Sequence, residues 1–159
     1  MNNRKKAQLP LEVLKKFRII FGSVRQHFRE VERTCGVTGS QVWIMQEIAK
    51  NPGVGVSELA ERLSIHQSTC SQLVEKLVVA KLVVKERNKE DMRCVGLQLT
   101  ESATKLMKKA PGPAEGILPK ALGALSEEAM RGLDSSLQKV IDQLQIKDEK
   151  LAQKPMSEL

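Results

Sequence analysis

VSELAERLSIHQSTCSQLVEKLVVAKLVVKERNKEDMRCVGLQLTE, residues Val56 to Glu101, sets out in order the elements that decide the fold. Leu59, Ala60 and Leu63 lie on one face at helical spacing, with Gly55 at the N-cap position and Glu58 three residues further on. Ser64-Ile65-His66 breaks the pattern. Cys70, Leu73, Val74, Leu77 and Val78 then recur at three- and four-residue intervals, which predicts a second helix from Gln67 to about Ala80. From Leu82 to Arg87 the sequence turns β-rich, a polar tip runs from Asn88 to Arg93, and Cys94 to Leu99 is a second extended run. Helix, turn, helix and hairpin together predict a mostly α chain with a small β wing. This is a winged helix-turn-helix, an arrangement that offers one helix to a DNA groove.

The outward side of the second helix supports that use. No formal charge occurs between Ser64 and Val74, yet Gln67, Ser68, Thr69, Ser71 and Gln72 crowd its first turn and a half. Amides and hydroxyls donate and accept hydrogen bonds, and a Gln side chain matches the N6/N7 edge of adenine. The cations stand at the margins: Lys76, Lys81, Lys85, Arg87, Lys89 and Arg93. Neutral groups that specify and charged groups that position are the division expected at a DNA interface. Asp91, two residues before Arg93, is expected to hold its guanidinium ready for a narrow, A·T-rich minor groove. The plainer alternatives are a solvated polar helix face and a surface ion pair worth under about 1 kcal/mol.

At 159 residues the chain suits one domain with a core of ordinary size. Its formal charge of +7 points to a polyanionic partner. Met1 to Thr34 and Lys76 to Lys109 are the basic segments and the remainder is mildly acidic, so the positive charge gathers on the N-terminal arm and the hairpin. No apolar run approaches the roughly 20 residues of a membrane span, and Arg4-Lys5-Lys6 is not followed by the apolar core of a signal peptide. Three cysteines cannot all pair, so a reducing cytoplasm is expected and no membrane association.

Leu9-Pro10 is expected to open a first helix on which Leu11, Leu14, Phe17, Phe21, Val24, Phe28 and Val31 recur for about six turns, ending near Cys35-Gly36. Ile19 and Ile20 add a second apolar side, which needs a second body to bury it. Thr38 and Gln41 have capping-box form ahead of a helix that should turn Val42, Met45, Ile48 and Ala49 inward. Trp43 lies beside that stripe, as core packing or as the lining of a ligand pocket. Thr100 is placed to cap a helix carrying Ala103, Leu106 and Met107, which Pro111-Gly112-Pro113 must interrupt. A helical face resumes from Ile117 to Leu125. Ser126 then caps a last helix with Met130, Leu133, Leu137, Val140, Ile141 and Leu144 in its stripe, and beyond Ile146 the polar chain is expected to fray.

SELAERL, STCSQLVEKL and KERNKEDMRCVGLQLTE, in this order and spacing, resemble the MarR family of winged-helix transcriptional regulators, including its Asp-x-Arg wing motif at Asp91-Met92-Arg93. The resemblance runs from about Leu11 to Leu144. It implies a homodimer on double-stranded DNA, often a repressor released by a small molecule or an oxidant. Under it the chain is a single domain over residues 1–159, with dimerisation helices at 9–34 and 101–147 around a winged core at 38–100. Leu11, Leu14, Leu133, Leu137, Val140, Ile141 and Leu144 would form the dimer seam. Phe21, Val24, Trp43 and Met107 would line an effector site for an aromatic acid or phenol. The chain departs from the family pattern at His66, a poorer cap than Ser or Asp, at Gln67, where Pro is common, and at Gln72, where Arg is frequent.

Other chemistry finds less support. His66 and Cys70 share a helix face, which could mean an activated thiol or, with Cys94 and one of His27 or Cys35, a metal site. No third catalytic group is identifiable, and no phosphate loop, His-Glu-x-x-His pair or nucleophile elbow occurs. No enzymatic activity, cofactor or metal is therefore expected. Two other readings stay open: a winged module that binds protein, suggested by the uncharged helix and by Glu86 and Glu90 beside the wing cations, and a thiol-based redox sensor.

Overall fold

The computed structural model describes residues 3–113, 116–145 and 147–159. Helix α1 spans Asn3–Cys35, about 50 Å long at 1.5 Å per residue. Leu9-Pro10 does not open it, because the helix starts nearly two turns earlier and Pro10 lies inside. The residues ahead of the proline are mostly good helix formers, and their propensity outweighs the one hydrogen bond that Pro10 cannot donate. Among the described side chains of α1 only Val24 and Val31 are buried.

Helix α2, Gly39–Lys50, begins in the expected capping box. The Gln41 N–H donates to Thr38 Oγ1 at 3.3 Å, and the Thr38 N–H donates to Gln41 Oε1 at 2.8 Å. Its inward face differs from the expected stripe at two positions. Ile44 is buried with Val42, Met45 and Ile48, whereas Ala49 faces solvent. The reason is that α2 is covered on two sides, by α1 and by the winged helix, so its buried arc is wider than one stripe.

Helix α3, Val56–Arg62, and helix α4, Gln67–Val79, form the helix-turn-helix. Leu59, Ala60, Leu63, Cys70, Leu73, Val74 and Leu77 are all buried, as their spacing predicts. Strands β1, Val83–Arg87, and β2, Val95–Leu99, pair antiparallel with Val83 opposite Leu99 and Arg87 opposite Val95. The hairpin is fastened to the body through β2. Gly53 donates to the Leu97 carbonyl and Leu97 donates to the Val54 carbonyl, both at 2.9 Å. This approach needs glycine at 96, since a Cβ there would stand 2.6 Å from the Gly53 carbonyl oxygen.

Thr100 caps helix α5, Glu101–Met107, and its hydroxyl also donates to the Lys81 carbonyl at 2.9 Å, tying the end of the wing to its beginning. Helix α6, Ile117–Gly123, follows the proline break, and Ser126 caps helix α7, Glu127–Asp142. No residue of α6 or α7 is buried.

The last segment does not fray as expected. Two 3-10 turns, Glu149–Gln153 and Met156–Glu158, return over the body, and Pro155 between them is buried. Ile146 itself lies outside the described residues. None of the helices among the described residues is long and apolar enough to cross a membrane.

Candidate nucleic-acid interface

Helix α4 divides cleanly into two sides. Cys70, Leu73, Val74 and Leu77 fill the core, and the other side carries Gln67, Ser68 and Gln72 exposed, with Thr69 and Ser71 half-buried. His66 sits at the N-cap without a side-chain cap bond. Gln67 and Ser71 lie one turn apart, as do Ser68 and Gln72, so the amides and hydroxyls form two short rows along one face. Lys76 continues that side as an exposed cation.

A residue that the sequence reading passed over lies one turn beyond Ser71. Glu75 forms an ion pair with Lys85 at the start of the wing. Lys85 was expected as a phosphate-binding cation, but its ammonium is engaged by the carboxylate of the neighbouring helix. Both side chains stay substantially exposed, so the pair is worth little to stability. What it does is offset a positive charge where helix and wing meet. Glu75 follows Ser71 by four residues, and that spacing was the available signal.

The tip of the wing is held by short side chains bonded to its backbone. Asn88 Oδ1 accepts from the Glu90 N–H at 2.8 Å, and Asp91 Oδ1 accepts from the Arg93 N–H at 3.0 Å. The Asn88 N–H closes the loop on the Cys94 carbonyl at 2.8 Å. The contact formed here is with the Arg93 backbone amide and not with its guanidinium. Two residues apart in a tight turn, the carboxylate meets the Arg93 amide first, as Asx turns do. Arg87, Lys89 and Arg93 are exposed and have no ion pair among the described residues. The side chains of Arg4, Lys5 and Lys6, the expected basic arm, lie outside the described residues.

The thiols are poorly placed for redox or nucleophilic work. Burial pushes the Cys70 thiol up to about 11, so it is protonated at neutral pH. The Asp91 carboxylate raises the Cys94 thiol through its charge and through the Sγ–H donated to it at 3.6 Å. Burial raises Cys35 as well. Among the described residues no group of three His, Cys, Asp or Glu side chains gathers as a metal site.

The four expected effector residues are not brought together. Phe21 and Val24 line a cavity of about 390 Å³ with Arg25, Phe28 and Arg29. Trp43 lines a separate one of about 220 Å³ with Phe28, Leu63 and Ile65, and Met107 packs on the core instead. The expected seam residues are open. Leu11, Leu14, Leu137, Val140, Ile141 and Leu144 are all exposed, and Leu133 is half-buried. Leu14 and Val140 meet across one shallow apolar groove.

Residues 36–93, which span α2 through the tip of the wing, match the model of the MarR family. The HTH-type transcriptional repressor MdtR of Bacillus subtilis (strain 168) is 24% identical over 123 residues, 77% of this chain and 79% of that protein. The matched segment is similar to the winged helix-turn-helix of MarR-family regulators. A putative transcriptional regulatory protein for the hcr operon of Thauera aromatica is 33% identical over 76 residues, 48% of this chain and 46% of that one. Among solved structures, the MepR–DNA complex of S. aureus shares the fold at a TM-score of 0.56 and 23% identity, covering 81% of this chain and 94% of that one. Both named relatives are described as transcriptional regulators, and a site made of amides, hydroxyls and peripheral cations is compatible with that class.

Proposed function

We propose that this regulator is a homodimeric, sequence-specific binder of double-stranded DNA in the cytoplasm, acting as a repressor on a near-palindromic operator. The observation that carries the reading is the α4 face. Gln67, Ser68 and Gln72 stand exposed and uncharged beside a wing whose Arg87, Lys89 and Arg93 have no ion pair among the described residues. Two copies of α4 would enter successive major grooves about 34 Å apart. The exposed apolar stripes of α1 and α7 supply a surface for the second copy. The name of the Bacillus relative and the DNA-bound MepR structure point the same way.

An aromatic acid or phenol is the proposed effector, acting between α1 and the winged body by favouring one spacing of the two recognition helices. Redox sensing is disfavoured by three thiols raised rather than lowered. The test is duplex-DNA binding as a function of salt, on fragments selected from genomic DNA. Specific affinity should fall steeply, with a log–log slope of roughly −0.9 per phosphate contacted. Arg87→Ala or Lys89→Ala should flatten that slope by about one contact, whereas Lys85→Ala, already paired with Glu75, should flatten it less. Binding that ignores both salt and sequence would sink the proposal in favour of a protein-binding module.

A further inference from the structure

The returning C-terminal segment makes contacts that an incidental tail would not. The Ser40 N–H, in the first turn of α2, has no partner within its helix and donates to Ser157 Oγ at 3.0 Å. The Ser40 hydroxyl donates to Glu158 Oε1 at 2.7 Å. The His66 N–H, immediately before the recognition helix, donates to the Gln153 carbonyl at 3.3 Å. Pro155 is buried in a stretch that is otherwise mostly exposed. The segment therefore reaches α1, α2 and the turn into α4 at once.

Its position also explains why the interior space is split. Phe28, Met156 and Ser157 line both the cavity of Phe21, Val24, Arg25 and Arg29 and that of Trp43, Leu63 and Ile65. Removing Met156 and Ser157 would open the two into one amphipathic groove, with arginines at one end and the Ser40 donors at the other.

We propose that residues 153–158 are a displaceable internal ligand of this groove, a strap that any amphipathic anion entering it must compete with. Its own chemistry indicates what the groove accepts: an apolar body where Pro155 and Met156 lie, and an oxygen acid on Ser40 where Glu158 lies. The strap also satisfies the amide before Gln67, so its release frees the approach to the recognition helix. This proposal stands whether or not the partner of that helix is DNA.

The test uses the full chain and its Pro155→Asp variant, which places a charge in the buried position. Amide exchange at Ser40 and His66 should quicken by up to about tenfold in the variant, the worth of one hydrogen bond. Exchange at Leu73, deep in α4, should be unchanged. The fluorescent anion 8-anilinonaphthalene-1-sulfonate should bind the variant about tenfold more tightly than the parent, with a matching change in Trp43 emission. Adding a synthetic peptide of residues 148–159 should displace it from the variant. Ser40→Ala, which removes only the hydroxyl donated to Glu158, should shift the same readouts in the same direction by less. Equal exchange and equal dye binding in parent and Pro155→Asp would overturn the proposal. Dye that binds the variant but resists the peptide would overturn it too, since the groove's ligand would not be the strap.

Discussion

The winged body and the helical arm are built from equally regular apolar periodicities, yet they end differently. Between α2 and β2 the stripes close on one another, and Ile44, Met45, Ile48, Leu59, Leu77 and Leu97 are essentially removed from solvent. On α7 the stripe is as regular, Ser126 caps it and Glu127 pairs with Arg131, but none of its residues is buried. Leu9, Ile19 and Phe21 of α1 are each more than half exposed. A hydrophobic period therefore tells where a face is, and only the packing tells whether the same chain covers it. Each large apolar side chain left open forgoes about 1.5–3 kcal/mol of burial, so an uncovered arm argues for a second copy.

The largest expected effect breaks the arm without touching the body. Ile141→Asp, or Leu137→Asp, places a charge on the open α7 stripe. Sedimentation velocity should find monomers, and circular dichroism should find the helices intact. Specific DNA binding should fall on the order of a hundredfold or more, because two half-sites no longer act together. A variant that stays dimeric with full affinity would mean that the arm is not the seam. Leu73→Ala makes the opposite cut. It should cost about 2–5 kcal/mol in chemical denaturation by leaving a cavity beneath the recognition helix, while the dimer contacts stay in place.

The contrast also marks how far the sequence could be read. Helix-turn-helix, wing, capping box and the buried face of α4 were legible because each is a local pattern whose partner lies within a few dozen residues. The second buried side of α2, at Ile44, was missed because single-stripe logic does not foresee a helix covered from two directions. Lys85 reads as a free cation in the sequence because its partner Glu75, ten residues away, becomes a neighbour only when β1 lies along α4. The strap escaped for a stronger reason. Lys154-Pro155-Met156-Ser157-Glu158 has no periodicity, and its contacts with Ser40 span more than a hundred residues. Phe21 and Val24 stay apart from Trp43, with Met156 and Ser157 lining both of their cavities, and Met107 packs on the core instead.

A smaller effect separates specificity from positioning on the face of α4. Gln67→Ala and Gln72→Ala should each relax discrimination at one operator position, costing about 1–3 kcal/mol there. The salt slope should barely move, because no phosphate charge is lost. Stability should hold as well, since both side chains are exposed and off the buried stripe. A binding profile over all single-base operator variants decides the matter. Uniform weakening at every position would leave α4 as a positioning element and move specificity to DNA shape.

The smallest effect tests how the wing is held, and it uses a cysteine as the reporter. Asp91 accepts the Arg93 amide through one oxygen and the Cys94 thiol through the other, and its charge holds that thiol above its ordinary range. Asp91→Asn keeps a carbonyl oxygen for the Arg93 amide but removes the charge. The thiol should fall back towards its ordinary pKa, so more of Cys94 is thiolate at pH 8 and iodoacetamide labels it a few-fold faster. Cys70 is the internal control, since its burial should keep it unlabelled in the folded protein. DNA affinity supplies the second half of the test. If the carboxylate serves as a bracket for the turn, Asn should retain affinity to within about twofold, and Asp91→Ala, which loses the acceptor, should not. If instead Asp91 clamps the Arg93 guanidinium when DNA is bound, Asn and Ala should lose equally, because neither carries the charge that a clamp requires.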